Sequence, residues 1–408
     1  MIGRAVFGRL DESPERACAA ASGRFPTRTR LHTAVATLDS VTAGNWDSLV
    51  QSGDLFCSYR WLRHLDTAVA PHRVVAVRAA DRLVAAAPVW EGEQTPGLFH
   101  LPDFFPGVTG PWREPFVWLG ARRSVRNGLI CVPDSMRASA LRRMLAACRY
   151  YAREHRRAGV IMPYLPLAAA RELAASNRSA RLLVHAADAM ISVPPDGTTG
   201  LLMRANGHHR KRRRRELREF GAAGYELEWS DLTPQIAAAI APLIANTRRK
   251  YGAGDGVSWM HTVFAAQREV GLLDTAKAVL CRRHGEVVAA AVCYRHGTSL
   301  HGRYFGAAEQ ADRDGAYFVT TCVAPVDYAA RNGLERVHLS TSSLQAKISR
   351  GASLQPLAAV VLLARGALDP AQVRAHNRRT VLGYHDRYAA VLGPEWADLI
   401  DESLIGEC

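Results

Sequence analysis

The densest chemistry in this sequence is a run of cations: His208, His209, Arg210, Lys211, Arg212, Arg213, Arg214 and Arg215, with Arg218 one turn further on. The six consecutive cationic side chains from 210 to 215 cannot share one helical face. At 3.6 residues per turn, Lys211, Arg214, Arg215 and Arg218 fall on one side while Arg212 and Arg213 point elsewhere. Like charges three and four residues apart repel by about 0.2–0.5 kcal/mol per pair, a cost that vanishes if anions lie along the face. Arg210, Lys211, Arg214, Arg215 and Arg218 are therefore candidate phosphate contacts, with a solvated face as the alternative. Arginines alone do not separate an RNA backbone from a pyrophosphate. The His208–His209 pair has no acidic or cysteine partner beside it, so no metal site is expected there.

A second set lies in HGRYFGAAEQADRDG. His301, Arg303 and Tyr304 ride on a strand ending at Gly306, and a polar loop then feeds a long helix. A helix opening beside strand ends offers free N–H groups to an anion or a polarised carbonyl. Strand alternation puts His301 and Tyr304, three apart, on opposite faces, with Arg303 on the side of His301. Arg303 is a candidate for a carboxylate or phosphate. Asp312 and Asp314 are candidates to orient an ammonium group, or are solvated loop acids. Lys347 and Arg350 recur on one helical face before Gly351 as candidate anion contacts. Cys322 and His338 both sit among apolar neighbours, which favours core roles over a Cys–His nucleophile pair. Neither GxGxxG nor GxxxxGK[ST] occurs.

Several elements must position these groups. HRVVAVRAADRLVAAAPVWEG reads as two strands around a turn near Ala79–Arg82, after a helical segment around Phe56, Trp61 and Leu62. The stretch from Leu98 to Trp118 is either an aromatic-lined loop above a site or packed irregular structure. A strong 3.6-residue period marks a helix in SMRASALRRMLAACRYYAREHRRAG. A strand, GVIMPYLP, follows it, and a helix starts near Leu167. Residues 190 to 200 read as the passage to a second half. That half opens on the arginine helix, stopped near Gly221 and Gly224, and continues with helices in PQIAAAIAPLIANTRRKYG and WMHTVFAAQREVG. Three antiparallel strands separated by His284–Gly285 and His296–Gly297 come next. Pro325 predicts a kink or a late start in GAYFVTTCVAPVDYAARNG. ERVHLST is a strand, LQAKISRG a short helix or turn, and LQPLAAVVLLAR a final strand.

A length of 408 residues favours two domains. The expected division is an extension over 1–30, domains over 31–195 and 196–368, and a helical tail over 369–408. An apolar fraction of 48% supports real cores, and 22% charged residues is ordinary for a folded chain. The 52 Lys and Arg against 38 Asp and Glu leave a formal net charge of +14, either spare surface arginine or a surface facing an anion. Cys18, Cys57, Cys131, Cys148, Cys281, Cys293, Cys322 and Cys408 form no CxxC pair, and those at 281, 293 and 322 read as reduced core residues. No window is long enough to span a bilayer, so a cytoplasmic protein without a membrane partner is expected. The oligomeric state is open.

The order of RKRRRRELREF, LHGRYFGAAEQ, DYAARNGLERVHLST and QAKISRG resembles the GNAT superfamily, in its double-domain FemAB-like and BioF2-like branch, closely over about 200–365 and more faintly over 45–190. The resemblance implies an α/β (mixed α+β) fold of tandem GNAT-like domains with mixed, centrally splayed sheets, the main site lying in the second. It also implies an acyltransferase in which an amine or hydroxyl attacks an activated ester or thioester directly, with no covalent enzyme intermediate. The strand amides near Phe305 and Gly306 would then face the oxyanion. Tyr304 would protonate the leaving atom or position the acceptor, or serve as an ordinary strand aromatic. Lys347 and Arg350 also match the family position of donor contacts. The implied co-substrate is aminoacyl-tRNA, with tRNA as partner, or acyl-CoA, and no permanently bound cofactor or metal. The long coiled-coil arm of the peptidoglycan enzymes has no counterpart, and Ser340 and Thr341 replace the usual acidic residue, so a small-molecule acceptor is expected. A non-catalytic nucleic-acid binder is the rival of another class.

Overall fold

A computed structural model describes residues 30–92, 99–250, 252, 254 and 256–405. Most of the expected extension over 1–30 lies outside the described residues. The chain forms thirteen strands: β1 (Leu31–Thr37), β2 (Arg73–Ala79), β3 (Arg82–Glu91), β4 (Val117–Leu119), β5 (Ile130–Cys131), β6 (Gly159–Pro166), β7 (Arg181–Ser192), β8 (Glu226–Asp231), β9 (Ala276–Arg283), β10 (Glu286–His296), β11 (Ser299–Ala307), β12 (Arg336–His338) and β13 (Ser353–Leu363). Valine-rich runs make the central ones, as in β3, where every residue from Leu83 to Trp90 is buried.

All thirteen join one sheet in the order β1-β2-β3-β4-β6-β13-β7-β12-β11-β10-β9-β8, with β5 beside β3. The two halves repeat one plan. Four antiparallel strands (β1–β4, β8–β11) are followed by a parallel step, β4 to β6 and β11 to β12. Each half's last strand then inserts into the other half, β13 against β6 and β7 against β12, and the two pair with each other. The mixed, two-half α/β architecture is therefore fused at its centre by strand exchange.

On one sheet face pack the helices Tyr59–Ala68, Arg137–Glu154, Pro234–Lys250 and Val257–Glu269, which supply the largest core. The Gly207–Ala222 and Ala324–Arg331 helices and the C-terminal pair, Pro370–Tyr388 and Glu395–Ile405, belong to the opposite side. The aromatic stretch after residue 98 is packed interior: Phe99, Phe105, Phe116 and Trp118 cluster with Trp90 and Tyr164. Cys281, Cys293 and Cys322 are buried and unpaired. Among the described residues no helix is long and apolar enough to cross a membrane.

The sequence shows no clear strand signal at β1, β4, β5, β7 or β8, and β7 occupies part of what reads as the end of the first half. Pro325 falls in the first turn of the helix Ala324–Arg331, the late start expected of it. A π-turn over Val319–Val323 precedes it, loosening the ladder where proline has no N–H to give.

Candidate functional site

The parallel contact between β11 and β12 lasts only from Ser299↔Arg336 to His301↔His338. Beyond it the strands part, and a cleft of about 1120 Å³ opens along the free edge of β11. Its walls include Arg303, Tyr304 and Phe305 of β11, Thr247 and Arg248 of the Pro234–Lys250 helix, Arg215 and Glu219 of the arginine helix, and the turn from Ser340 to Ser343. Ser340 and Ser343 hold φ of 73° and 52°, left-handed conformations uncommon outside glycine and frequent at functional turns.

Backbone directions at this edge can be followed atom by atom. Ala308 N–H donates to Val288 O in β10 at 2.8 Å. Ala307 N–H turns the other way, to Thr247 Oγ1 at 3.3 Å. Direction alternates along a strand, so Gly306 faces β10, opposite Ala290, and Phe305 presents its N–H to the open edge. Of the two amides expected at an oxyanion, that of Gly306 is thus committed to the sheet. Gly306 is needed for another reason: a Cβ there would collide with the Leu243 and Ile244 backbone.

The expected facing of His301 and Tyr304 is corrected. Cys293 pairs with Gly302 and Val292 with Tyr304, which leaves Arg303 as an extra residue. This β-bulge shifts the alternation by one and brings His301, Arg303 and Tyr304 to the same face. His301 lies 5.8 Å from the Phe56 ring, and the Arg303 guanidinium stands 5.5–5.8 Å from the rings of Phe56, Trp61 and Tyr304. Arg303 also donates to Arg123 O at 3.0 Å, bridging the halves while lining the cleft. Tyr304 Oη accepts from Gln267 Nε2 at 3.5 Å, and Gln267 Oε1 accepts from Tyr294 Oη at 2.6 Å.

The arginine helix splits its cations differently from the expected single side. Arg210, Lys211, Arg214 and Arg218 line an open groove of about 610 Å³ with Leu217. Arg215 faces the cleft. Arg213, expected to point away from the shared side, turns inward and donates to Ser349 O at 2.8 Å. Asp312 pairs with Lys250 at 3.1 Å on the cleft wall. Asp314 accepts from Tyr225 Oη at 2.6 Å, which holds its carboxyl below the usual range.

Lys347 and Arg350 also part company. Lys347 is the fourth residue of a five-residue helix, Leu344–Ile348. It is only 4% exposed and donates to Ser340 O at 3.2 Å. Burial lowers its pKa to about 8, against the raising effect of Asp188 and Cys322. Arg350 lies in the following turn, at the cleft, 3.2 Å from Glu216 and over the Phe318 ring.

The sequence named His301 but not Asp188 or the partnership with His338. Asp188 on β7, His338 on β12 and His301 on β11 stand in a row across three adjacent strands. His338 Nδ1 is 2.8 Å from Asp188 Oδ2, and the His301 and His338 rings stack at 4.7 Å and 8°. Arg126 reaches Asp188 at 3.4 Å and Asp54 at 3.8 Å. Burial pushes the Asp188 carboxyl up, but His338, Arg126 and Lys347 together outweigh it and hold it low. Burial, then His338 and Arg126, drives His301 well below the usual imidazole range. Neither His301 nitrogen makes a well-formed hydrogen bond. Cys322 and His338 do not pair, since Cys322 packs in the core on the far side. Among the described residues no group of His, Cys, Asp or Glu could hold a metal ion.

A family model for FemAB-like proteins, described as peptidoglycan biosynthesis/recognition, matches residues 129–375, well over half of the chain. The crystal structure of FemX superposes with a TM-score of 0.53 at 12% identity, covering 78% of this chain and 96% of that one. A conserved protein of unknown function from Bacteroides thetaiotaomicron gives 0.52 at 13% identity, over 79% of this chain and 98% of that one. At such identities the likeness is one of fold. No curated protein sequence matches.

Proposed function

We propose, on the footing that the chain belongs to the FemAB-like family and shares the fold of FemX, that its cleft is a GNAT-like acyltransferase site that moves an aminoacyl group from aminoacyl-tRNA to the amine or hydroxyl of a small molecule. The observation that supports tRNA is the spread of charge around the arginine helix. One edge faces the reaction cleft through Arg215, while Arg210, Lys211, Arg214 and Arg218 extend cationic surface into a groove outside it. One pyrophosphate needs only a local site; a polyanion entering the cleft from outside uses both sides of the helix.

In this reading the donor carbonyl lies along the open edge of β11, with its oxygen at the Phe305 N–H. A preorganised amide there stabilises the tetrahedral oxyanion as the acceptor attacks. Tyr304, steadied by Gln267, faces the leaving oxygen. Arg350, Arg215 and Arg248 flank the terminal phosphates, while Lys347 acts indirectly, holding the Ser340 turn from beneath.

Acyl-CoA is the second reading, and one feature favours it. The helical segment beginning at Ala316 opens into the cleft at Gly315, Tyr317 and Phe318, where free amides suit a pyrophosphate. The two are separated by supplying purified protein with charged tRNA or with acyl-CoA. Product that requires charged tRNA and disappears on ribonuclease treatment is the expected result. Full-rate transfer from acyl-CoA with no use of charged tRNA would refute the proposal, and RNA affinity without any product would mark a non-catalytic binder.

A further inference from the structure

At the inner end of the cleft lies a second, much smaller chamber of about 30 Å³, lined by Asp188, His301, His338, Arg126, Arg303 and Ser340 among others. Ser340, Arg303 and Val125 line both spaces. A volume of that size holds one water or one small protic group. Its walls carry polar atoms that the protein leaves open. His301 is 1% exposed, with no well-formed hydrogen bond and only a loose approach to the Gly53 backbone; Arg303 Nε is buried without an acceptor, and Arg126 Nε has only Asp54, at 3.8 Å. A neutral imidazole has one donor and one lone pair, so a group that both gives and takes a hydrogen bond would satisfy His301.

His338 is arranged for more than filling space. Its Nδ1 is engaged by Asp188 at 2.8 Å, which fixes the ring with Nδ1 protonated and the Nε2 lone pair free. The ring lines the chamber, and stacked, uncharged His301 does not repel a positive charge forming on it. Asp188 compensates that charge. The spacing also suits a reaction: about three to four strand residues at roughly 3.3 Å each separate His301, the strand neighbour of His338, from Phe305. That span accommodates an imidazole side chain, an attacking atom and a carbonyl in sequence.

We propose that this chamber is the subsite for the acceptor's nucleophilic group, a primary amine or hydroxyl, and that His338 is its general base with Asp188 as the positioning residue. The inference rests on the acyl-transfer reading above. As the acceptor N or O attacks the donor carbonyl carbon, its proton passes to His338 Nε2. The carbon–oxygen bond to the donor then breaks, and the proton leaves on the departing oxygen, directly or through water. The chamber admits one heavy-atom group, which selects an unhindered nucleophile at the end of a chain.

The test uses the full-length protein with a mixture of aminoacyl-tRNAs plus acetyl-CoA as donors, and two probe nucleophiles. Ethanolamine is protonated at neutral pH and must lose a proton before it can attack; hydroxylamine is already neutral and a stronger nucleophile, so it depends far less on a base, and its transfer is counted above the rate without protein. In His338→Ala, transfer to ethanolamine should fall by about 100-fold or more, transfer to hydroxylamine should stay within about threefold, and added imidazole should restore the ethanolamine reaction. Hydroxylamine serves as the internal control for folding and donor binding. Equal loss with both nucleophiles, or ethanolamine transfer unaffected, overturns this assignment while leaving acyl transfer standing. No transfer to either nucleophile by the wild-type protein overturns the acyl-transfer reading and this inference with it.

Discussion

Replacing Asp188 with Asn probes the central row most sharply. The wild-type carboxylate is 2% exposed, lies 2.8 Å from His338 and 3.4 Å from Arg126, and raises the pKa of buried Lys347. Asn keeps the shape but removes the charge, leaving Arg126 and Lys347 uncompensated. Removing one partner of a buried charged set costs about 3–5 kcal/mol, and that is the expected loss at pH 6. The loss should depend on pH. Lys347 has a folded pKa near 8, below the ordinary lysine value, so the folded state binds fewer protons in the interval between and stability rises with pH across it. Without Asp188 that interval begins at a lower pH, and by pH 9 Lys347 is neutral in both proteins. What remains is the lost charged hydrogen bond and the uncompensated Arg126, together smaller than the pH 6 loss and about 1.5–3 kcal/mol. Urea unfolding of wild type and Asp188→Asn at pH 6 and pH 9 measures this, and Asp188→Asn/Lys347→Met should recover part of the pH 6 loss. A penalty below about 1 kcal/mol at pH 6, or one equal at both pH values, would refute the reasoning.

Further outcomes follow from the same structure. Burial holds His64 and His185 neutral, with pKa lowered to about 3, whereas the unfolded chain protonates them from about 6.5 downward. Stability should therefore fall as pH drops below about 6.5, by about 1.4 kcal/mol for each ring at pH 5.5, with His301 acting in the same direction; denaturant midpoints unchanged between pH 7.5 and 5.5 would contradict this. Reversing Arg214, Arg215 and Arg218 to Glu should raise the donor KM roughly tenfold or more while the acceptor KM stays nearly constant. Steady-state titration of each substrate reads this out, and equal effects with folding intact would defeat the assignment of this helix to the donor.

The fold's local pieces were legible where one physical signal dominated. The β2–β3 and β9–β11 hairpins showed through valine-rich runs broken by turn residues, and Arg137–Glu154 through its apolar period. What stayed hidden depends on irregularities that break a period. In β7, His185 is an extra residue between Val184 and Ala186, so its alternation fails, and with it went Asp188. The bulge at Arg303 likewise reversed the expected face of Tyr304. The partnership of Asp188 with His338 spans 150 residues and depends on strand exchange between halves. The available signal was an acid and an imidazole embedded in apolar strands, AADAMIS and RVHLS, where an unpaired charge would be costly. The arginine run marked the right helix but not which cations turn to which cavity, because neighbouring packing sets that.

The most direct measurement is a crystal structure with a non-hydrolysable aminoacyl-adenosine amide standing in for the charged tRNA end. The account predicts its carbonyl oxygen about 3 Å from the Phe305 N–H, its carbonyl carbon facing the chamber of His338, and its adenosine toward the arginine helix. A carbonyl bound away from the free edge of β11, or an analogue seated in the first half of the sheet, would contradict it.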